Sequence, residues 1–227
     1  MNPTNITYSD QAAAQQGFMT QVFGWMAGGL AVSGLVANYI ASSVGMLSGG
    51  MMMFAFIAQI GVVIGLSSRI HKMSARMATG LFIGYSALTG VTLSVLLLIY
   101  TAESVASTFM ITAGTFGVMA VWGATTKRDL TGLGSFLFMG LIGIVIASVV
   151  NMFVRSSQMH MMISYVGVLV FTGLTAYDIQ QIKRINEAGF ASAEDEVKAS
   201  VIGALRLYLD FINLFIMLMS ILGNRRS

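Results

Sequence analysis

Seven apolar stretches, each about as long as a bilayer is thick, occupy most of this sequence and leave little choice of fold. A helix needs about 20 predominantly apolar residues to cross the hydrocarbon core. Stretches near that length lie at 18–41, 50–68, 77–100, 104–126, 131–154, 160–181 and 200–222. The second holds Gln59 as its only strongly polar side chain, and the seventh contains Arg206 and then Asp210 within the otherwise uncharged run Leu207–Gly223. Of the 227 residues 56% are hydrophobic and 9% charged, where a soluble domain carries about 25% charged residues. The expected fold class is all-α: a polytopic integral membrane protein with a seven-helix bundle. It would form a single transmembrane domain over 1–227, with 1–17 a short cytoplasmic segment and 182–199 a polar cytoplasmic loop.

Composition removes several kinds of function. There is no cysteine, so neither a disulfide nor a thiolate metal site can form, and two histidines are too few for a His-rich metal cluster. A net charge of +3, dispersed over loops, does not suggest nucleic-acid binding. Met1–Gln16 carries one acid, Asp10, and no base, unlike a secretory or transit peptide. The first apolar helix is expected to serve as the insertion signal.

Loop charge sets the expected orientation. Bases fall in 69–76 (Arg69, Lys72, Arg76), 127–129 (Lys127, Arg128) and 182–199 (Lys183, Arg184, Lys198), while the alternate connections hold only Arg155. Basic loops stay in the cytoplasm, which places the N-terminus there. Seven full crossings then put Arg225 and Arg226 outside, against the trend; either the tail is too short to matter or one segment does not cross fully. The sole proline, Pro3, interrupts no span. The pairs Gly24/Gly28, Gly61/Gly65 and Gly80/Gly84 have the GxxxG spacing that permits close helix approach, within the bundle or between copies. The 18 methionines show no regular spacing and are read as apolar filling. Asn38, Gln59 and Asn151 are expected to make interhelical hydrogen bonds. His71 and His160 are expected at solvated loop edges, and Glu103 at an outer mouth that could attract cations.

Ionisable groups inside a membrane are rare and mark functional sites. Two carboxylates qualify, Asp178 and Asp210. Asp178 precedes Lys183 by five residues, about 7.5 Å of helix. Asp210 follows Arg206 by four, about 6 Å. Their helices are consecutive and antiparallel, so the acids lie at matched depth near one membrane face. Two carboxyls sharing a proton titrate as a unit and could sense pH, contact a cation or pass protons. Arg69, at the end of the second span on the same face, could exchange with one acid as a gate partner. Arg206 at i,i+4 from Asp210 could instead form a local ion pair, and Asn213, one turn further, could hydrogen-bond Asp210.

Four segments resemble one family. Leu174-Thr-Ala-Tyr-Asp178-Ile-Gln-Gln-Ile is similar to the sixth-helix signature of the Bax inhibitor (transmembrane Bax inhibitor motif) family. Leu207-Tyr-Leu-Asp210-Phe-Ile-Asn-Leu-Phe-Ile-Met-Leu-Met-Ser-Ile-Leu-Gly resembles its last-helix signature. Ser86-Ala-Leu-Thr-Gly90-Val-Thr-Leu-Ser and Gly123-Ala-Thr-Thr-Lys127-Arg-Asp-Leu also resemble it, and the likeness runs from about Phe18 to Arg226, closest to the bacterial branch. The resemblance implies a bundle with its last helix central. It implies a pH-dependent calcium leak in a bacterial inner membrane, governed by an aspartate pair, here Asp178 and Asp210, which could also contact Ca²⁺. It further implies an arginine partner at the end of the second helix, Arg69, with Lys72 the alternative. Gln59 stands where some members have a glutamate, and Arg206 stands where many have a neutral residue. Beyond Ca²⁺ as transported ion and H⁺ as signal, no cofactor is implied; the lipid bilayer and other membrane proteins, proteases or stress systems among them, are the expected partners.

Other classes make different demands. An intramembrane aspartyl protease would share Tyr177-Asp178 but needs Gly-x-Gly-Asp, where Leu207-Tyr-Leu-Asp210 stands, and a Pro-Ala-Leu element that this sequence cannot supply. No enzyme is expected. A non-transporting modulator of other membrane proteins predicts a phenotype that survives loss of both acids. A proton-coupled antiporter predicts uphill transport.

Overall fold

The computed structural model describes residues 8–43 and 49–226, with side chains for 16–43, 49–70 and 72–226. Pro3, the side chains of Asp10 and His71 and most of the 42–49 connection lie outside what is described. Among the described residues seven α-helices follow one another: α1 Tyr8–Ser42, α2 Gly49–Arg69, α3 Ala75–Ile99, α4 Ala102–Thr125, α5 Thr131–Val154, α6 Ser157–Ala188 and α7 Ala193–Leu222, with a 3-10 turn Ile70–Lys72 after α2. All seven are long and apolar enough to cross a membrane. The molecule is a polytopic helical membrane protein. Large apolar side chains stand exposed along the helices, among them Phe54 and Ile64 on α2 and Phe136, Met139 and Ile146 on α5. Such a surface suits hydrocarbon, where backbone groups are satisfied within each helix. The last helix is the most enclosed, with 61% of its most apolar stretch buried.

The chain packs as two compact units, Met1–Ser94 with Gln181–Leu205, and Val95–Gln180 with Arg206–Ser227. In the first unit α1 and α3 approach closely. A Cβ built on Gly90 would stand 2.6 Å from the Ser33 carbonyl oxygen, and one on Gly29 would stand 2.7 Å from the Phe82 ring. The Ser33 hydroxyl donates across this contact to the Ser86 carbonyl at 2.7 Å. Gln59 joins α2 to α3 by donating to the Leu88 carbonyl at 3.0 Å and to Thr92 Oγ1 at 3.2 Å.

The expected 182–199 loop is mostly helix. α6 continues to Ala188 and α7 begins at Ala193, leaving four residues between. Gly189 ends α6 at φ +77°, the left-handed conformation that glycine adopts without steric penalty. Ser192 starts α7: its Oγ accepts from the Asp195 amide at 3.1 Å and donates to Asp195 Oδ2 at 2.8 Å. Glu194, Asp195 and Glu196 then place negative charge in the first turn, where the helix dipole favours it. Glu194 also reaches the start of α3, accepting from the Ala75 amide at 3.0 Å. The acidic cluster builds two helix starts.

In the second unit the close approaches centre on α6. A Cβ on Gly123 of α4 would collide with the Ala176 carbonyl oxygen and stand 2.8 Å from the Ala176 Cα; one on Gly173 would stand 2.7 Å from Leu137 of α5. The GxxxG pairs behave differently. A Cβ on Gly24, Gly28, Gly61, Gly65, Gly80 or Gly84 meets nothing within 4 Å. The expected close approach within the bundle is therefore corrected at these pairs: they face open space, and other glycines make the helix crossings.

The tail fixes a point of topology. Thr101 N donates to the Asn224 carbonyl at 3.0 Å and Arg226 N to the Ile99 carbonyl at 2.9 Å, forming an antiparallel bridge between Tyr100 and Arg225. Arg226 Nε donates to the Tyr100 carbonyl at 3.0 Å, and Asn224 N to Ser104 Oγ at 3.0 Å. The end of α7 thus shares a membrane side with the α3–α4 connection, as it must if α4 to α7 all cross. The two arginines that opposed the loop-charge trend are held by this turn. Deleting residues 224–227 removes these four bonds. At about 1 kcal/mol each, the thermal midpoint of the detergent-solubilised protein is expected to fall by several degrees, whereas an unchanged midpoint would mean the tail only rests on the turn.

Candidate functional site

Asp178 sits on α6 ten residues before its end, and Asp210 on α7, in the second unit. Their carboxyl groups lie close enough to act on one another. A hydrogen bond between them would need a proton on one of the two. Asp210 is enclosed, 5% exposed, and its Oδ2 has no protein partner. Asp178 is half-buried. Arg206 stands one turn before Asp210 with its guanidinium exposed, and its charge acts on both carboxyls.

These groups line a cavity of about 620 Å³ between α5, α6 and α7. Gly134, Ser135, Phe138 and Leu141 come from α5, Phe171, Leu174, Tyr177 and Asp178 from α6, and Arg206, Leu209, Asp210 and Asn213 from α7. The walls are largely apolar, and Ser135, Tyr177, Asp178, Arg206, Asp210 and Asn213 bring the polar groups. The local fold depends on glycine: the Tyr177 ring lies where a Cβ on Gly134 would be, with its Cδ2 2.5 Å from that position.

A clamp that sequence reasoning did not single out holds the start of α5 against α6. Gln180, two residues after Asp178, accepts from the Leu130 amide at 2.9 Å and donates to the Arg128 carbonyl at 2.8 Å. It is 8% exposed. Its signal was a second amide, in Gln180-Gln181, in a segment otherwise read only for its acid.

The other expected residues divide. Asn213 lines the cavity, but its amide donates back to the Leu209 carbonyl at 2.8 Å on its own helix and not to Asp210. A carbonyl one turn back is always in reach, so the nearer partner wins. Of the lone amides only Gln59 bridges helices. Asn151 accepts from Ser156 N at 2.9 Å and closes the α5–α6 turn, and Asn38 is exposed. Arg69 and Lys72 are exposed and belong to the first unit. His160 is exposed, as expected, and Glu103 is exposed in the first turn of α4. Among the described residues no three His, Asp or Glu side chains converge to hold a metal ion.

Comparison with known proteins places the chain in a family. The family model described as "Inhibitor of apoptosis-promoting Bax1" matches residues 15–227. The inner membrane protein YbhL of Escherichia coli (strain K12) is 50% identical over 99% of this chain and 98% of its own length. An uncharacterized protein of Borreliella burgdorferi is 46% identical over 92% of this chain and 93% of its own, and one of Deinococcus radiodurans is 43% identical over 92% and 91%. A match that takes in every helix and both cavity acids leaves one assignment: the chain belongs to the Bax inhibitor family of integral membrane proteins.

Proposed function

We propose that this protein lies in a bacterial inner membrane with its N-terminus in the cytoplasm and carries a passive Ca²⁺ leak, gated by the protonation of Asp178 and Asp210. The observation that carries the reading is the meeting of two carboxyl groups, one from α6 and one from α7, in a single largely apolar cavity. With one shared proton the pair bonds and ties α6 to α7. Without it two negative charges face each other in a poorly hydrated place and repel. At an effective dielectric constant of 20 and a separation of 4 Å that repulsion is about 4 kcal/mol, enough to shift a two-state equilibrium by about a thousandfold. The bare carboxylates are then hard oxygen ligands for a passing divalent cation. Two such ligands are few, which suits transit better than retention. The base in the cavity, Arg206, offsets part of the negative charge.

Protein reconstituted in liposomes with an entrapped Ca²⁺ dye tests this. The expected result is a flux that rises as pH is raised across the pair's titration and runs only down the gradient. Uphill movement coupled to a proton gradient would make the protein an antiporter, and a flat, protein-independent trace would leave the modulator of other membrane proteins.

A further inference from the structure

The cavity has an open side that ion passage does not explain. Ser135 and Phe138, both on α5, line it and are exposed, Phe138 by 57%. On the same helix Phe136, Met139 and Ile142 are exposed as well, the pattern of a surface facing hydrocarbon. On the side of Ser135 and Phe138 the opening therefore lies in the apolar surface of α5, while exposed Arg206 lines its polar side. Inside, Phe171, Leu174 and Leu209 form apolar walls, and the volume of about 620 Å³ lies in the range of small-molecule sites. At the inner end Asp210 Oδ2, enclosed and with no protein donor, is an acceptor in need of one.

We propose that this cavity binds an amphiphilic amine from the bilayer, with its ammonium group on the Asp178–Asp210 pair and its apolar chain leaving past Phe138. The chemistry selects the head group. An ammonium supplies up to three donors to a carboxyl pair that has a free acceptor, and a charge-assisted bond there is stronger than a neutral one. An alcohol of the same chain offers one donor and no charge. A fatty acid brings a third carboxyl to a site that already has two, and only Arg206 would favour it. Apolar walls and a lipid-facing mouth suit the chain. The proposal shares the carboxyl pair with the proposed gate but needs no ion flux, so either can fail alone.

The test uses the full chain in lipid nanodiscs without an ion gradient. Trp25→Phe and Trp122→Phe remove the native indoles, and Phe138→Trp installs one at the mouth. Dodecylamine, dodecanol and dodecanoate, each with a brominated chain, are added at equal mole fraction in the lipid, and quenching is recorded. Saturable quenching by the amine, at about tenfold lower mole fraction than by the other two, is expected from the worth of a bond to a charged group. Asp210→Asn should raise the half-saturating amine fraction by about the same factor. Ser135→Phe, which fills the mouth and leaves both acids in place, should abolish saturation even if the Asp210 variant does not fold. Equal, unsaturable quenching by all three compounds would show partition into lipid only and overturn the proposal. So would saturable amine binding unaffected by Ser135→Phe.

Discussion

In proteoliposomes Asp210→Asn is expected to give a low Ca²⁺ flux that no longer changes with pH. The amide is nearly isosteric with a protonated carboxyl and donates the same hydrogen bond to Asp178, but it has no proton to lose. The bonded state of the pair is then fixed, and α6 and α7 stay joined at this level at every pH. Asp210→Ala makes the opposite change. It removes the bond without leaving two charges, so the flux should again ignore pH but remain high. Asp178→Asn should resemble Asp210→Asn, because the bond survives with the donor and acceptor exchanged. The three variants are read together as flux against pH, with thermal unfolding as a check on folding. A pH–flux curve for Asp210→Asn that superimposes on the parent's would remove the carboxyl pair from the gate.

The depth argument that brought these acids together needed only helix rise and the positions of Lys183 and Arg206, and both side chains line one cavity. The helices were legible for the same kind of reason. Apolar runs end where polarity begins, and the expected 131–154 coincides with α5. Where helix continues into polar sequence, hydropathy is silent. The last two turns of α6 and the first two of α7 were therefore read as loop, although Gly189 and the Ser192–Asp195 cap marked a helix stop and start. The third wall of the cavity was not legible. Ser135 and Phe138 carry no charge, and nothing in their spacing says which neighbour they face. Glycine spacing failed for a related reason. An i,i+4 pair defines one face of one helix, but what lies opposite is a tertiary fact, so the spaced pairs stand open while isolated Gly123 and Gly134 carry the contacts.

That distinction yields the largest stability effect to be expected from a single methyl group. In Gly123→Ala the new Cβ collides with the Ala176 carbonyl oxygen and stands 2.8 Å from the Ala176 Cα. Both are backbone atoms of α6, held by helical hydrogen bonds, and cannot swing aside. The helices must separate, two residues from Asp178. Overpacking a tight contact costs about 1–3 kcal/mol, and a backbone partner belongs at the upper end. Gly117→Ala, on the same helix with nothing within 4 Å of its Cβ, adds the same methyl to open space. Its thermal midpoint should stay near the parent's, or rise slightly because alanine is the better helix former. Gly134→Ala should fall between them, since the obstacle is the Tyr177 ring, which can turn away into the cavity it lines. A ranking by thermal unfolding in detergent, with Gly123→Ala lowest and Gly117→Ala highest, would locate the tightest helix crossing of the second unit at the aspartate helix. Equal midpoints for Gly123→Ala and Gly117→Ala would mean that α4 and α6 are not in backbone contact, and the support for Asp178 would have to come from Gln180 and α5 instead.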